Sequence, residues 1–338
     1  MFSLKSYKKK LVSIFALTFL FGLGLPAISP ASAEVVRVAH ADSEQHPKHL
    51  AFLKFAEIVT AKTNGELSVQ VFPSGQLGDE REIVEGLQQG TVHLTSVSNG
   101  VVSAFSKSFM LLDIPYLFED YASARRAIDG PGKPLLFSGL DKIGLVGLSV
   151  WEQGFRNISS SKSAVDTADK LKGLKLRTME APLHVTAWKA AGANPTPMSW
   201  SQVYPSLQQG VIDGQENPLY VVTQEKLYEV QKFVSLTRHI YDAMPVLASK
   251  KWFDGLSQKH QKVVRDAIAE VTDYERGLVE KLVKEAEGEL PGLGVKVVSL
   301  TSDNLAKIRA VAQPAVVAKV KAELGDALVD GWLKATAK

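Results

Sequence analysis

The 338-residue chain has no cysteine. Disulfides, thiolate metal centres and cysteine nucleophiles are therefore excluded, although this absence fixes no compartment. Other absences narrow the function. After residue 33 no G-x-G-x-x-G run follows an apolar strand. DGPGKP at 129–134 lacks the full G-x-x-x-x-G-K-[ST] spacing of a phosphate-binding loop and reads as a turn. GLSVW at 147–151 is not the G-x-S-x-G elbow of a serine hydrolase. Aromatics are not interleaved with a basic run, and no apolar run after residue 33 is long enough to cross a membrane.

What is present begins with a leader. MFSLKSYKKK carries four lysines and no acid, LVSIFALTFLFGLGL is apolar, and PAISPASA ends in Ala31-Ser32-Ala33. This is the order of a cleavable secretory signal peptide, expected over residues 1–33. The apolar run is shorter than the ~20 residues of a membrane span. The whole chain is 39 basic against 36 acidic residues. Taking away the four leader lysines leaves 35 against 36, a net −1. That balance gives no argument for nucleic acid or an anionic membrane as a partner. Periplasmic localisation without stable membrane insertion follows as the expectation.

Beyond the leader, strand and helix patterns alternate. VVRVAHA (35–41) is β-branched and alternating; HPKHLAFLKFAEIVTAKTNG carries apolar residues at helical spacing and closes at Asn64-Gly65. ELSVQVFP reads as a strand, REIVEGLQQG as a helix ending at Gly90, and TVHLTSV as a strand. The alternation predicts an α/β fold, and the length predicts two lobes. LQQGTV at 87–92 and LQQGVI at 207–212 echo one another, as two similar lobes would. Residues 256–289 have no proline and repeat Val264, Ile268, Val271, Leu278, Leu282 and Ala286 at helical steps. They read as one helix of ~50 Å across both lobes, or as two helices broken near Gly277. From Thr301 the pattern is helical again, with Pro314 as an interruption.

Candidate chemistry is sparse. His40, His46 and His49 lack the spacing of two ligands on one helical turn, and no metal is expected there. Arg177 lies near the carboxyl end of a strand whose faces divide Leu174, Leu176 and Thr178 from Lys175, Arg177 and Met179. That end is where ligands bind in open α/β sheets, and a guanidinium grips a carboxylate through a planar fork. A structural ion pair fits Arg177 as well on position alone. VIDGQENP (211–218) places Asp213 and Glu216 three apart. That spacing fits either an acid–base pair or a turn that presents Asn217.

WEQGFRN, DKLKGLKLRTMEAP, GANPTPMSWSQVYPSLQQGVIDGQENP and EVQKFV, with PSGQLGDEREIVEGLQQG and LLDIPYLF upstream, resemble the solute-binding proteins of TRAP (tripartite ATP-independent periplasmic) transporters. The match covers most of the chain after the leader, in one order. The resemblance implies a two-lobed periplasmic binding protein fold with a ligand cleft, crossing hinge strands and a long helix spanning both lobes. The expected division is 34–154 with about 243–282 in one lobe and 155–242 with about 283–338 in the other. The family binds an organic acid and hands it to a sodium-driven permease. By the same resemblance Arg177 makes the defining carboxylate contact, with Arg156 and Asn217 as further contacts. Asp213 and Glu216 then hold the loop. Glu80, Ser98 and Met179 complete the expected ligand set, His40, Glu152 and Gln153 read sugar hydroxyls, and Trp188 or Phe155 covers a sugar face. A sialic acid is disfavoured because Ser98 stands where that branch has glutamate. DGQENPL differs from the DGTENPW of C4-dicarboxylate binders. A uronate or aldonate is therefore expected, with a C4-dicarboxylate next and ligand presentation to a sensor kinase as an alternative role. No cofactor and no catalytic residue are expected.

Overall fold

A computed structural model describes residues 33–336. The expected signal peptide lies, but for its last residue, outside the described residues. The chain opens with β1 (Glu34–Ala39), crosses a helix to β2 (Leu67–Phe72), and a second helix leads to β3 (Leu94–Ser96). β4 (Leu145–Phe155) then runs out of this first sheet. A single residue, Arg156, separates it from β5 (Asn157–Ser160), the first strand of a second sheet. β6 (Lys175–Thr178), β7 (Asn194–Pro197), β8 (Gly214–Asn217) and β9 (Phe233–Leu236) continue that sheet. β10 (Tyr241–Ser249) returns to the first sheet, and β11 (Lys296–Ser299) closes the second. The orders are β2-β1-β3-β10-β4 and β11-β9-β5-β8-β6-β7. In both sheets parallel strands carry the helices, while the two crossings run antiparallel to their neighbours.

The crossings are bonded side by side, with Arg156 N donating to Ile240 O at 2.9 Å and His239 N donating to Arg156 O at 3.3 Å. These bonds satisfy backbone groups where the chain passes between the sheets. The echoed LQQG segments fall at matching places. Gly90 and Gly210 both adopt left-handed φ, 82° and 71°, just past short helices. β3 and β8 follow them, each parallel to an earlier strand of its own sheet.

Residues 256–289 form one helix, Gln258–Glu289, with Gly277 inside it. At ~1.5 Å per residue it is ~48 Å long. Its first half buries Val264, Ala267, Ile268 and Val271 against Phe52, Phe55 and Trp151 beside the first sheet. Its second half buries Val279 and Ala286 with Tyr220, Val222 and Leu290 beside the second. Gly277 does not break it because apolar packing on both sides outweighs a glycine propensity cost of about 1 kcal/mol.

Two expectations about the tail change. Pro314 lies within the helix Ser302–Leu324 and does not interrupt it, since Ala312 and Val316 anchor the chain on both sides of the lost hydrogen bond. The tail was also expected with the second lobe. Ile308 does pack there, but Ala312, Val316, Val320, Val329 and Trp332 pack with Phe109, Ala124 and Tyr241 on the first-sheet core. The helix Ser302–Leu324 thus packs on both lobes, and the last helix packs on the first. Among the described residues no helix is long and apolar enough to cross a membrane.

Candidate ligand-binding site

Between the two sheets lies a small cavity of about 20 Å³ lined by Asp42, Glu80, Ser98, Gln153, Arg156, Arg177, Met179, Trp200 and Asn217. Asp42 follows β1, Ser98 follows β3, Arg177 lies in β6 with Met179 just past it, and Asn217 ends β8. The carboxyl ends of parallel strands from both lobes therefore converge on it. Two contacts join the lobes around it. Ser43 N donates to Glu225 Oε1 at 3.2 Å and Ser201 N to Asp79 Oδ2 at 3.0 Å.

The two arginines differ in what they face. Arg156 is 1% exposed, and all five of its N–H groups are engaged by protein. Nε meets Glu216 Oε2 at 2.5 Å, Nη1 meets Asp242 and Gln153, and Nη2 meets the Glu216 carboxylate at 3.0 Å and its backbone oxygen. Arg177 is equally buried, at 3%. Nε and Nη2 share one backbone oxygen, Met198 O, at 3.0 and 2.7 Å. Among the described residues no carboxylate forms an ion pair with Arg177. Burial, reinforced by the Arg156 charge, pulls its pKa down to about 10. A buried cation without an anion is costly, and Arg177 lines the cavity. Trp200 lies over the guanidinium at 5.7 Å.

The opposite wall is acidic. Lys48, fully buried, donates to Asp42 Oδ2 at 2.5 Å and reaches 4.0 Å from Glu80 Oε1. Burial pushes the Asp42 carboxyl up, but the Lys48 ammonium and neighbouring histidines pull it further down, to a net position below its ordinary range. Glu80 moves the other way. Burial, with Asp42 adding to it and Lys48 opposing, raises it to about 7. Glu80 Oε1 also accepts from Ser98 N at 3.0 Å. Lys48–Asp42 and Arg156 with Glu216 and Asp242 are internally matched, so among the described residues Arg177 is the cavity-lining cation without a carboxylate partner.

The structure brings together seven of the expected site residues: Arg177, Arg156, Asn217, Glu80, Ser98, Gln153 and Met179. It places three elsewhere. His40 is fully buried behind the cavity with Nε2 3.0 Å from His49 Nδ1, and burial lowers its pKa to about 3. Glu152 is fully buried on the opposite side of β4 from Gln153, because neighbouring strand residues point to opposite faces; there it meets Arg125 and accepts from Tyr241 OH at 2.5 Å. Trp188 packs edge-on against His239 at 4.6 Å. Phe155 likewise packs among Tyr121 and Tyr241. Asp42 and Trp200 were not anticipated. Asp42 had a signal, since it follows β1 as Arg177 lies one residue from the end of β6, and the same strand-end rule selects it. His46 is spent on capping, its Nδ1 accepting from Lys48 N at 3.2 Å, with Tyr220 OH at 3.2 Å from Nε2.

The loop 211–218 is also resolved in purpose. Asp213 Oδ2 accepts from Lys175 N at 3.3 Å and Oδ1 meets Lys162 at 2.6 Å, tying the turn to β6. Glu216 is occupied by Arg156 and by His239 Nε2 at 2.9 Å. Asn217 faces the cavity, its Nδ2 donating to Gln215 Oε1 at 2.6 Å.

Two α/β lobes that enclose an unpaired buried cation define a protein that captures small anions. The chain belongs to the bacterial extracellular solute-binding proteins, family 7, whose model matches residues 38–322; these are the periplasmic solute-binding components of TRAP transporters, which work with membrane permease subunits. It is 35% identical to the 2,3-diketo-L-gulonate-binding periplasmic protein of Escherichia coli, over 86% of this chain and 88% of that one. It is 34% identical to the C4-dicarboxylate-binding periplasmic protein of Rhodobacter capsulatus, over 77% and 78%. Among solved structures it is similar to the sugar acid binding protein of Advenella mimigardefordensis in complex with galactonate, with a TM-score of 0.87, 33% identity and coverage of 90% and 98%. These relatives are substrate-binding proteins.

Proposed function

We propose that this protein binds a sugar acid, a uronate or aldonate, in the periplasm and delivers it unchanged to a sodium-coupled TRAP permease after its leader is removed. The observation that carries this reading is the charge layout of the cavity. One end offers an unpaired buried guanidinium, Arg177, and the rest offers Asp42, Glu80, Ser98, Gln153 and Asn217. A single carboxylate satisfies the first. The others are acceptors and amides that suit hydroxyl groups. A second carboxylate would instead lie beside Asp42 and Glu80, where like charges repel in a water-poor site. The relatives that bind galactonate and 2,3-diketo-L-gulonate support the same chemistry.

Arg177 grips the ligand carboxylate through the N–H groups that Met198 O leaves free. Asn217 donates to it without adding charge, and Trp200 covers the guanidinium. Arg156 acts from behind, holding Glu216 and Asp242 away from the ligand. Closing the lobes removes the anion from water, and charge-assisted hydrogen bonds offset that cost.

A C4-dicarboxylate is the second reading, favoured by the Rhodobacter relative's ligand and by the raised Glu80, which when neutral tolerates a nearby anion. A thermal-shift panel on residues 34–338 separates the two. Galactonate, glucuronate and galacturonate are expected to raise Tm by several degrees at millimolar concentration, with succinate and malate giving little. Strong stabilisation by succinate and none by the sugar acids would overturn the proposal.

A further inference from the structure

We propose that His184 and Asp113 form a clasp between the lobes, made when they close on a ligand and broken when they part. The inference rests on the reading of this chain as a protein that closes over its ligand. Asp113 ends a short helical segment of the first lobe, Lys107–Asp113, and His184 lies on the second-lobe helix Pro182–Ala190. Each side chain is about 1% exposed, with His184 Nε2 3.4 Å from Asp113 Oδ1. The lobes meet closely here, for a Cβ added to Gly100 would lie 2.9 Å from Met179 Cε and 3.2 Å from His184 Nε2. Met179 lines the cavity, so Gly100 lies between the clasp and a cavity-lining residue.

The pair is bound to closure because neither partner has another ionic match across the gap. Asp113 Oδ1 also accepts from Asn99 Nδ2 at 2.8 Å, within its own lobe, while Oδ2 has no partner. On the other side His184 Nδ1 faces Glu216 Oε1 at 3.8 Å, beyond hydrogen-bond range, so that contact acts through charge alone. His239 from the second lobe and Asp242 at the start of β10 are the further titratable groups around it, with Arg156 behind Glu216. Separating the lobes would remove one of the two carboxylates that hold the imidazolium.

The consequence is a proton linked to binding. In the closed arrangement burial opposes the charge of His184, but Asp113 and Glu216 outweigh it and raise its pKa to about 9. With the lobes apart and Asp113 gone, it falls toward the ordinary 6.5. Below that value both forms are protonated and the clasp contributes in full. As pH rises through about 9 the closed form loses the proton and the contribution disappears. Ligand binding at pH 8 therefore takes up a proton, and affinity falls roughly ten- to hundredfold from pH 6.5 to 9.

The test has two arms. Calorimetry with galactonate at pH 8, in buffers of different ionisation enthalpy, is expected to show proton uptake that vanishes in Asp113→Asn and His184→Asn, with affinity at pH 6.5 lowered about tenfold. Unchanged uptake in both variants would overturn the clasp. The second arm needs no ligand. The chain has no cysteine, so Asp79→Cys with Ser201→Cys, across a lobe contact, closes the lobes on oxidation. The His184 imidazole, assigned by its loss in His184→Asn, is expected to titrate near 9 when oxidised and at least a unit lower when reduced. Equal values in the two states would refute the proposal. Galactonate failing to bind would count against the sugar-acid reading alone, and the locked protein would still decide the clasp.

Discussion

Arg156 and Arg177 stand 21 positions apart, are buried to the same degree and both touch the cavity, yet only one is unmatched. Arg156 is closed off by Glu216 and Asp242 and sits where the crossing strands meet. Arg177 lies one residue from the end of its strand, and its only hydrogen-bond acceptor among the described residues is a backbone oxygen. Burial alone therefore says little about an arginine's role. What separates a pin of the fold from a ligand-binding group is whether the protein supplies the counter-charge. On the proposed reading, the protein spends stability to keep Arg177 unpaired, and the ligand restores it.

Three substitutions sharpen this contrast. The largest effect is expected for Arg156→Met, which leaves Glu216 and Asp242 buried without their cation. It should cost about 3–5 kcal/mol of stability in urea denaturation without ligand. A stable Arg156→Met that has merely lost ligand would make Arg156 a direct contact and dissolve the comparison. Next comes Arg177→Ala, which should leave ligand-free stability nearly unchanged or slightly higher. Galactonate affinity should fall about 30- to 1,000-fold, or roughly 2–4 kcal/mol, by calorimetry. A large loss of stability would mean Arg177 is also structural. The smallest effect belongs to Glu80→Gln. Because burial raises Glu80 from 4.5 to about 7, the folded state holds its proton more tightly than the unfolded chain. Stability from this group is full below about pH 4.5 and is lost as pH rises to about 7. Glu80→Gln should flatten that part of the Tm–pH curve, and an unaltered slope would show that Glu80 ionises normally.

Much of the fold was legible because periodicity survives without tertiary context. The long helix, the strand–helix alternation and the glycines after LQQG each rest on local pattern and backbone sterics. Within the site, residues at strand ends were legible for the same reason, and the family's motif carried Arg177, Arg156 and Asn217. Errors came where two neighbours on one strand were both assigned to the cavity. Glu152 and Gln153 must point to opposite faces; Gln153 meets the cavity, while Glu152 meets Arg125 from another helix. His40 and Trp188 were lost to partners nine and fifty-one positions away, His49 and His239. Trp200 entered because Arg177 turns toward Met198.

The amino-acid order by itself determined the α/β class, the helical pattern of residues 256–289 and an arginine near the end of a strand, since these follow from local sterics and the alternation of side chains. Only the tertiary structure decided which arginine is paired and that Lys48 neutralises Asp42. It also placed His184 opposite Asp113 across the lobes. Charges interact through space, and a counter-ion 60 or 71 residues away along the chain leaves no mark on the pattern around its partner.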